Sequence, residues 1–340
     1  MQKPSIHASH EYIFAKMHGI WANAAKDDRL AQLVNADRGD GITSFLEERK
    51  LNAVSREQFH QNLILREINM LTNISAQLDT KTAAFYRAFM ERTYFENIKV
   101  LLHYRFFPER EADIDHLLVN APGLPEMAAA ELLALESLDD FLQALHPAIY
   151  PSEIQDIVKK LQDDGDIMAA ECAVDRLAYR YLMIHAERLP QGIRHAGKSL
   201  VQMEIDIINL CMLLRIIRTY NLDERTVQTI WLDGGTLTPS TLTELSSIET
   251  VGELLSKLPA SYREQLQPFA NASLYLSENA LWKMQYRKAK RYFSDFSRID
   301  LSIVAFPFLL HFETLNLGRI YEGIHFEMRP HDIMEMMICS

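Results

Sequence analysis

Eight consecutive residues, Gly192, Ile193, Arg194, His195, Ala196, Gly197, Lys198 and Ser199, satisfy the pattern G-x-x-x-x-G-K-S. In a phosphate-binding loop of that pattern, glycine freedom lets backbone N–H groups curl around a nucleotide's phosphates. The lysine reaches the outer phosphates and the serine hydroxyl holds magnesium. The chemistry also needs a context: the loop must leave a buried parallel strand and enter a helix. The residues before Gly192 read HAERLPQ, polar and interrupted by a proline, so no core strand feeds it. The nearest candidate for a partner strand ending in aspartate, IWLDGG at 230–235, is weak. A pattern with four free positions arises by accident in roughly 1% of chains of this length, from ordinary composition. The segment is therefore expected to be a solvated loop between a helix ending near Arg188 and a buried helix after Ser199. A nucleotide-binding protein working through Lys198 is the alternative reading.

Other residue types that could do chemistry fall short of a constellation. His7 and His10 could share a helical turn, a metal-like spacing, yet no third ligand lies near them in sequence. His325, Glu327 and His331 resemble part of a zinc deaminase motif whose Pro-Cys-x-x-Cys is missing. Cys172, Cys211 and Cys339 lie far apart and match no zinc spacing, so reduced thiols are expected. Tyr94, Phe95, Tyr104, Phe106 and Phe107 sit at helical spacing and read as core rather than as a cofactor box. No catalytic, cofactor-binding or metal-ligating residues are expected, and no cofactor.

The elements that would position any site are helices. Of 340 residues 48% are apolar, enough for a substantial core, while 12 glycines and 12 prolines leave few breaks for strands and turns. Residues 58–79, 81–106, 153–162, 167–188, 200–220 and 275–296 carry apolar positions at three- and four-residue spacing, and no alternating strand pattern persists. The expected fold class is all-α. The net charge of −11 repels phosphate backbones and anionic head groups, and without a long basic run nucleic acid is a poor partner. The opening residues lack a signal-peptide core, and the longest apolar run, 303–310, is far below the roughly 20 residues a membrane span needs.

An internal repeat runs through the chain. Segments 30–52, 129–150 and 242–262 each read as two short helices, each is followed by a long helical stretch, and each stretch ends in a helix with an asparagine among apolar residues: Asn97, Asn209 and Asn316. The asparagines recur about every 110 residues, the mark of three copies of one unit. The expected divisions are 1–110, 111–222 and 223–340. From Ile205 to Ile217 nearly every residue is apolar, so that helix must be buried on most sides. Asn209 inside it is expected to tie the helix to a neighbouring segment, and Arg215 to pair with a carboxylate, because a buried polar group without a partner is costly.

These residues resemble the C subunit of the V-type and archaeal-type ATPases, called d in eukaryotes, with its recurring acidic residue, short gap and Asn-(Leu/Ile)-(Lys/Arg). FENIKVLLHYR (95–105) and MEIDIINLCMLLR (203–215) fit it, and ETLNLGRIYEG (313–323) resembles the closing copy. AECAVDRLAYRYL (170–182) resembles the family's Glu-x-x-Leu-Asp-Arg helix, and WLDGGTLTP (231–239) its Gly-Gly-x-Leu loop. Departures are Gly318 at the closing arginine position, with Arg319 one residue late, Glu322 where a basic residue is common, and His103 in place of an arginine. The resemblance implies a funnel of three helical units about a pseudo-threefold axis, without catalytic activity. Its base would rest on the cytoplasmic face of the proteolipid ring, and its open end would receive the central shaft made of the D and F subunits. It would pass torque during proton or sodium transport, peripheral to the membrane. Loops such as 233–239 are candidates for contact with these partners. A helical scaffold with unrelated partners is the other alternative.

Overall fold

The computed structural model describes residues 9–35, 51, 55–107, 117–145, 148–220, 222 and 224–339, and among them every regular element is a helix. In chain order they are α1 (His10–Ala22), α2 (Asp28–Asn35), α3 (Arg56–Ser75), α4 (Thr80–Met90), α5 (Arg92–Phe106), α6 (Ala129–Leu133), α7 (Leu138–Leu145), α8 (Pro151–Asp164) and α9 (Ile167–Glu187). There follow α10 (Gln191–Arg218), α11 (Glu224–Thr229), α12 (Pro239–Ser246), α13 (Val251–Lys257), α14 (Ala260–Leu266), α15 (Leu274–Phe293), α16 (Leu301–His325) and α17 (Pro330–Met336). Side chains before several of them close orphan N–H groups: Ser9 caps α1, Ser55 caps α3, Asp79 caps α4 and Asp166 caps α9.

Two sequence expectations fail for local reasons. Residues 81–106 form two helices, because Arg92 turns back on Phe89, stacking 3.8 Å from its ring and donating to its carbonyl at 3.2 Å. A side chain that enters the i→i−4 ladder breaks it. Residues 192–199, expected as a loop, are the first turns of α10. Pro190 at the N-cap presets the backbone, and Ile193, Ala196 and Gly197 are already buried. Gly197 is close-packed: a Cβ there would collide with the Leu189 side chain.

Helix α16 runs through the middle of the protein. Its 25 residues are apolar enough to cross a membrane, but 89% of its most apolar stretch is buried inside the protein, so it is a core helix. Pro307 lies in its interior and cannot donate to the carbonyl of Ile303. The hydroxyl of Tyr86 takes that place, donating to the Ile303 carbonyl at 2.7 Å, with both residues buried.

Apolar packing divides into a central core and three satellites. The central core joins α1, α3, α4, α9, α10, α15 and the first half of α16. One satellite gathers α5 with α6, α7, α8 and α9; a second gathers the second half of α10 with α11 to α14. The third gathers the end of α16 with α2, the start of α3 and α17. The short pairs expected at 129–150 and 242–262 are α6 with α7 and α12 with α13. Of the pair expected at 30–52, α2 is present and residues 36–50 lie outside the described residues.

Candidate functional site

The three asparagines occupy matching positions. Asn97 donates to the carbonyl of Val119 at 3.0 Å and accepts from its N–H at 3.0 Å. Asn209 does the same with Leu232 at 2.9 and 2.9 Å, and Asn316 with Ile338 at 2.7 and 2.8 Å. The partners lie 22, 23 and 22 residues downstream, and all three amides are buried. Each amide thus pairs with both the N–H and the carbonyl of a single residue, as a strand neighbour would.

The other motif residues knit these clamps together. Lys99 lies 2.7 Å from Asp175 and 2.8 Å from Glu96, which hold its ammonium charged against burial. Arg176 donates to the carbonyls of Trp231 and Thr229, fixing the start of the 231–239 loop. The loop is then held from below by Asp206, fully buried, which accepts from the Leu237 N–H at 3.0 Å, the Tyr262 hydroxyl at 2.7 Å and the Thr236 hydroxyl. The approach requires glycine: Gly234 has φ +97°, and a Cβ on Gly235 would collide with an Asp206 carboxylate oxygen. The loop's tip, with Asp233, Gly234, Thr236 and Thr238, is exposed. Arg215 makes a two-pronged pair with Glu278 at 2.7 and 3.2 Å. The three departures from the family pattern have partners too. Gly318 leaves room for the His60 ring, Glu322 accepts from Arg56 at 2.7 Å and pairs with His60 at 2.5 Å, and His103 faces Glu171 at 4.0 Å.

Between the long helices lies a cavity of about 890 Å³, walled by α3, α4, α5, α9, α10, α15, α16 and α17. Its inner end is apolar and buried, with Ile68, Leu71 and Phe89, while exposed Leu117 and Phe326 stand at its outer end. Paired charges line the walls between. Glu204, buried, receives Arg92 at 2.5 Å, the Tyr179 hydroxyl at 3.0 Å and Gln285 at 3.4 Å. Glu67, buried, lies 3.2 Å from His311. Burial pushes the Glu67 carboxyl up, but His311, by charge and hydrogen bond, together with Thr314 and the Arg92 charge, outweighs it and holds it below the usual carboxylate range. Behind the wall Glu313, also buried, takes a two-pronged contact from Arg66 and the N–H of Ala25 at 2.8 Å. The cavity is thus framed by charges that are fixed in place. Sequence reading missed it, because its lining comes from eight helices. The available signal was acids inside apolar helical runs, such as Glu67, Glu204 and Glu313.

The other sequence candidates do not converge. Lys198 pairs with Glu187 at 2.9 Å, and the Ser199 hydroxyl bonds the Ala196 carbonyl at 3.0 Å and lies 3.2 Å from the Tyr292 hydroxyl. The backbone N–H groups that a phosphate loop would present are here part of a helix. His7 lies outside the described residues, and His10 opens α1. His325 stacks parallel to Tyr321, whereas His331 sits with Asp332 and Glu335 on the surface, where Asp332 is already held by Arg329 at 2.8 Å. The three cysteines are free thiols, and burial raises that of Cys172 to about 11. Tyr94 and Phe95 are core, as expected, while Phe107 is 39% exposed.

An all-helical protein whose clamped helices wall a deep, charge-framed cavity is the architecture in hand. The chain belongs to the ATP synthase (C/AC39) subunit family, whose sequence profile matches residues 13–336. It is similar to the C subunit of the A-type ATP synthase of Halorubrum lacusprofundi, with 22% identity over 225 residues. That match covers 62% of this chain and 62% of the relative's length. The family is that of an accessory subunit of the synthase rather than of its catalytic subunit.

Proposed function

We propose that this protein is a non-catalytic rotor adaptor of a V/A-type ATP synthase. It seats the foot of the central shaft, the D and F subunits, in the cavity between its long helices, and it rests on the cytoplasmic face of the proteolipid ring. The observation that carries this reading is the cavity itself, of about 890 Å³ and framed by charges that are already paired. A torque-bearing socket must deform little. Close-packed helices joined by buried ion pairs and clamped amides meet that demand. Within the same reading, the chain is a funnel of three units, 1–110, 111–222 and 223–340, related by a pseudo-threefold axis. The recurring asparagine clamps support it, as do the satellite cores, in which each asparagine helix packs with the short helices of the following unit and the last with the first.

The test is a pull-down of the purified chain against the D and F subunits of the same source, sized by light scattering. A stoichiometric one-to-one-to-one complex is the expected result. No association at micromolar concentration, together with ATP–magnesium binding that Lys198→Ala abolishes, would overturn the proposal.

A further inference from the structure

The charges in the cavity wall are answered within the wall itself, with one exception. Arg92 meets Glu204, His311 meets Glu67, His60 meets Glu322, and Asp175 meets Lys99. Arg319 lines the same cavity, yet no carboxylate lies within 4.0 Å of it among the described residues. Glu278, whose charge acts on it from further away, is already gripped by the two-pronged contact with Arg215. Burial pulls the Arg319 guanidinium down from the ordinary arginine range, and Glu278 offsets only part of this.

The geometry shows which edge of Arg319 is unused. Its Nη1 donates to the Asn279 side-chain oxygen on α15 at 2.9 Å and to the Met336 carbonyl at the end of α17, and these bonds fix the side chain. Nε and Nη2, the other edge, donate to nothing among the described residues. That is the edge by which Arg215 takes both oxygens of Glu278, and Arg329 both oxygens of Asp332. It forms a planar fork that matches a carboxylate with two parallel bonds. Arg319 is half-buried, so water can serve the fork while the cavity is open. Leu315, one turn earlier on α16, and Trp282, one turn after Asn279 on α15, are apolar lining residues beside it. A segment that packs on them excludes that water and must then supply an acceptor of its own. The placement belongs to this chain: the arginine stands one residue later than the family resemblance puts it, about 100° further round the helix, while Gly318 lies against the His60 ring.

We infer that Arg319 is the residue by which the cavity recognises its occupant, and that the occupant brings a carboxylate to it on an otherwise apolar tip. The inference rests on the rotor-adaptor reading, under which the occupant is the foot of the D and F shaft. It adds the chemistry of the contact: one acidic group of the shaft, bound to Nε and Nη2 by two parallel hydrogen bonds. A backbone carbonyl could accept one of those bonds but would leave the charge unanswered, in a wall where the other charged side chains have counter-ions. The apolar body of the tip follows from the buried Ile68, Leu71 and Phe89 at the inner end.

The experiment measures, by titration calorimetry, the affinity of the full chain for the purified D and F subunits of the same source. Arg319→Gln removes the charge and keeps a polar side chain, whereas Arg319→Lys keeps the charge and removes the fork. On the shaft, each carboxylate near its foot is replaced in turn by the amide. Arg319→Gln is expected to weaken the complex about thirtyfold or more, and Arg319→Lys by less. One amide replacement should cost a similar factor against the unmodified chain and almost nothing against Arg319→Gln, a coupling that a merely structural role would not produce. Thermal unfolding reads the fold of each variant, and the amide replacements leave this chain unaltered. Full affinity in Arg319→Gln, or a loss coupled to no carboxylate of the shaft, overturns the inference and leaves the adaptor reading intact. Should Arg319→Gln fail to fold, full affinity in every amide replacement overturns it equally. Failure of the unmodified chain to bind the D and F subunits overturns the adaptor reading itself, and the inference with it.

Discussion

Replacing Tyr86 by phenylalanine removes one oxygen atom from the centre of the protein. The Ile303 carbonyl, left without its helical partner by Pro307, then faces an apolar core with nothing to accept from. A buried carbonyl left unsatisfied costs about 1–3 kcal/mol. Burial holds the Tyr86 hydroxyl well above the ordinary phenol range, so it remains a donor throughout the working pH range. The cause can be isolated with Pro307→Ala, which supplies the missing N–H at the i+4 position. That change restores a ladder bond and relieves the ring clash, and it gives up about two buried methylenes at about 0.8 kcal/mol each. In the Pro307→Ala background Tyr86→Phe should cost only about 0.5 kcal/mol, the ordinary loss of a hydrogen bond whose acceptor is otherwise satisfied. The double-mutant cycle should therefore show about 1–2 kcal/mol of coupling. At about 2.1 cal/mol/K per residue over 340 residues, each 1 kcal/mol moves the thermal midpoint by about 1.4 °C. Urea unfolding followed by far-UV circular dichroism reads the free energies directly. Equal costs of Tyr86→Phe in the two backgrounds would refute the reasoning.

Three further outcomes follow from the geometry. Asn97→Leu, Asn209→Leu and Asn316→Leu each orphan a buried N–H and a buried carbonyl, and should each cost about 2–5 kcal/mol in urea unfolding, with similar values for all three; a loss confined to one would show that the clamps are not equivalent. Lys198→Ala removes only a half-exposed pair with Glu187, so it should cost under about 0.5 kcal/mol and leave thermal stability in ATP–magnesium unchanged. The pH response should carry two opposite signs. The Glu67 carboxyl is depressed on folding, so its stabilisation is present above the unfolded carboxylate range and lost as the pH falls, and Glu67→Gln should flatten the acid limb of the stability profile. Burial raises the Glu91 carboxyl, one of whose oxygens has no partner among the described residues, so Glu91→Gln should stabilise the protein at neutral pH, with the gain shrinking on acidification.

Some of this was legible in the sequence and some was not. The helical periods and the buried setting of residues 205–217 follow from apolar spacing, and the tie at Asn209 and the pair at Arg215 follow from the cost of burying lone polar groups. Those are local arguments. The start of α10 was not legible, since Gly192 and Gly197 carry weak helix propensity. Pro190 and contacts of Gly197 with Leu189 and Val304 decide it. The break at Glu91 was hidden too, because Arg92 turning back onto Phe89, three residues away, is a side-chain contact with no periodic signature. The cavity was out of reach altogether. Glu67 and His311 meet across 244 positions, and Arg92 and Glu204 across 112.

The clamps carry a consequence for how such a sequence can change. Each asparagine grips the N–H and carbonyl of one residue and ignores its side chain, so the residue at 119, 232 or 338 is recognised only by those two groups. Any amino acid but proline supplies both. The amide acts as a pin through a standard eyelet: the pin must be kept, while the lettering on the part it holds can be rewritten. Three segments built on this joint could lose nearly all mutual sequence likeness and still close in the same way.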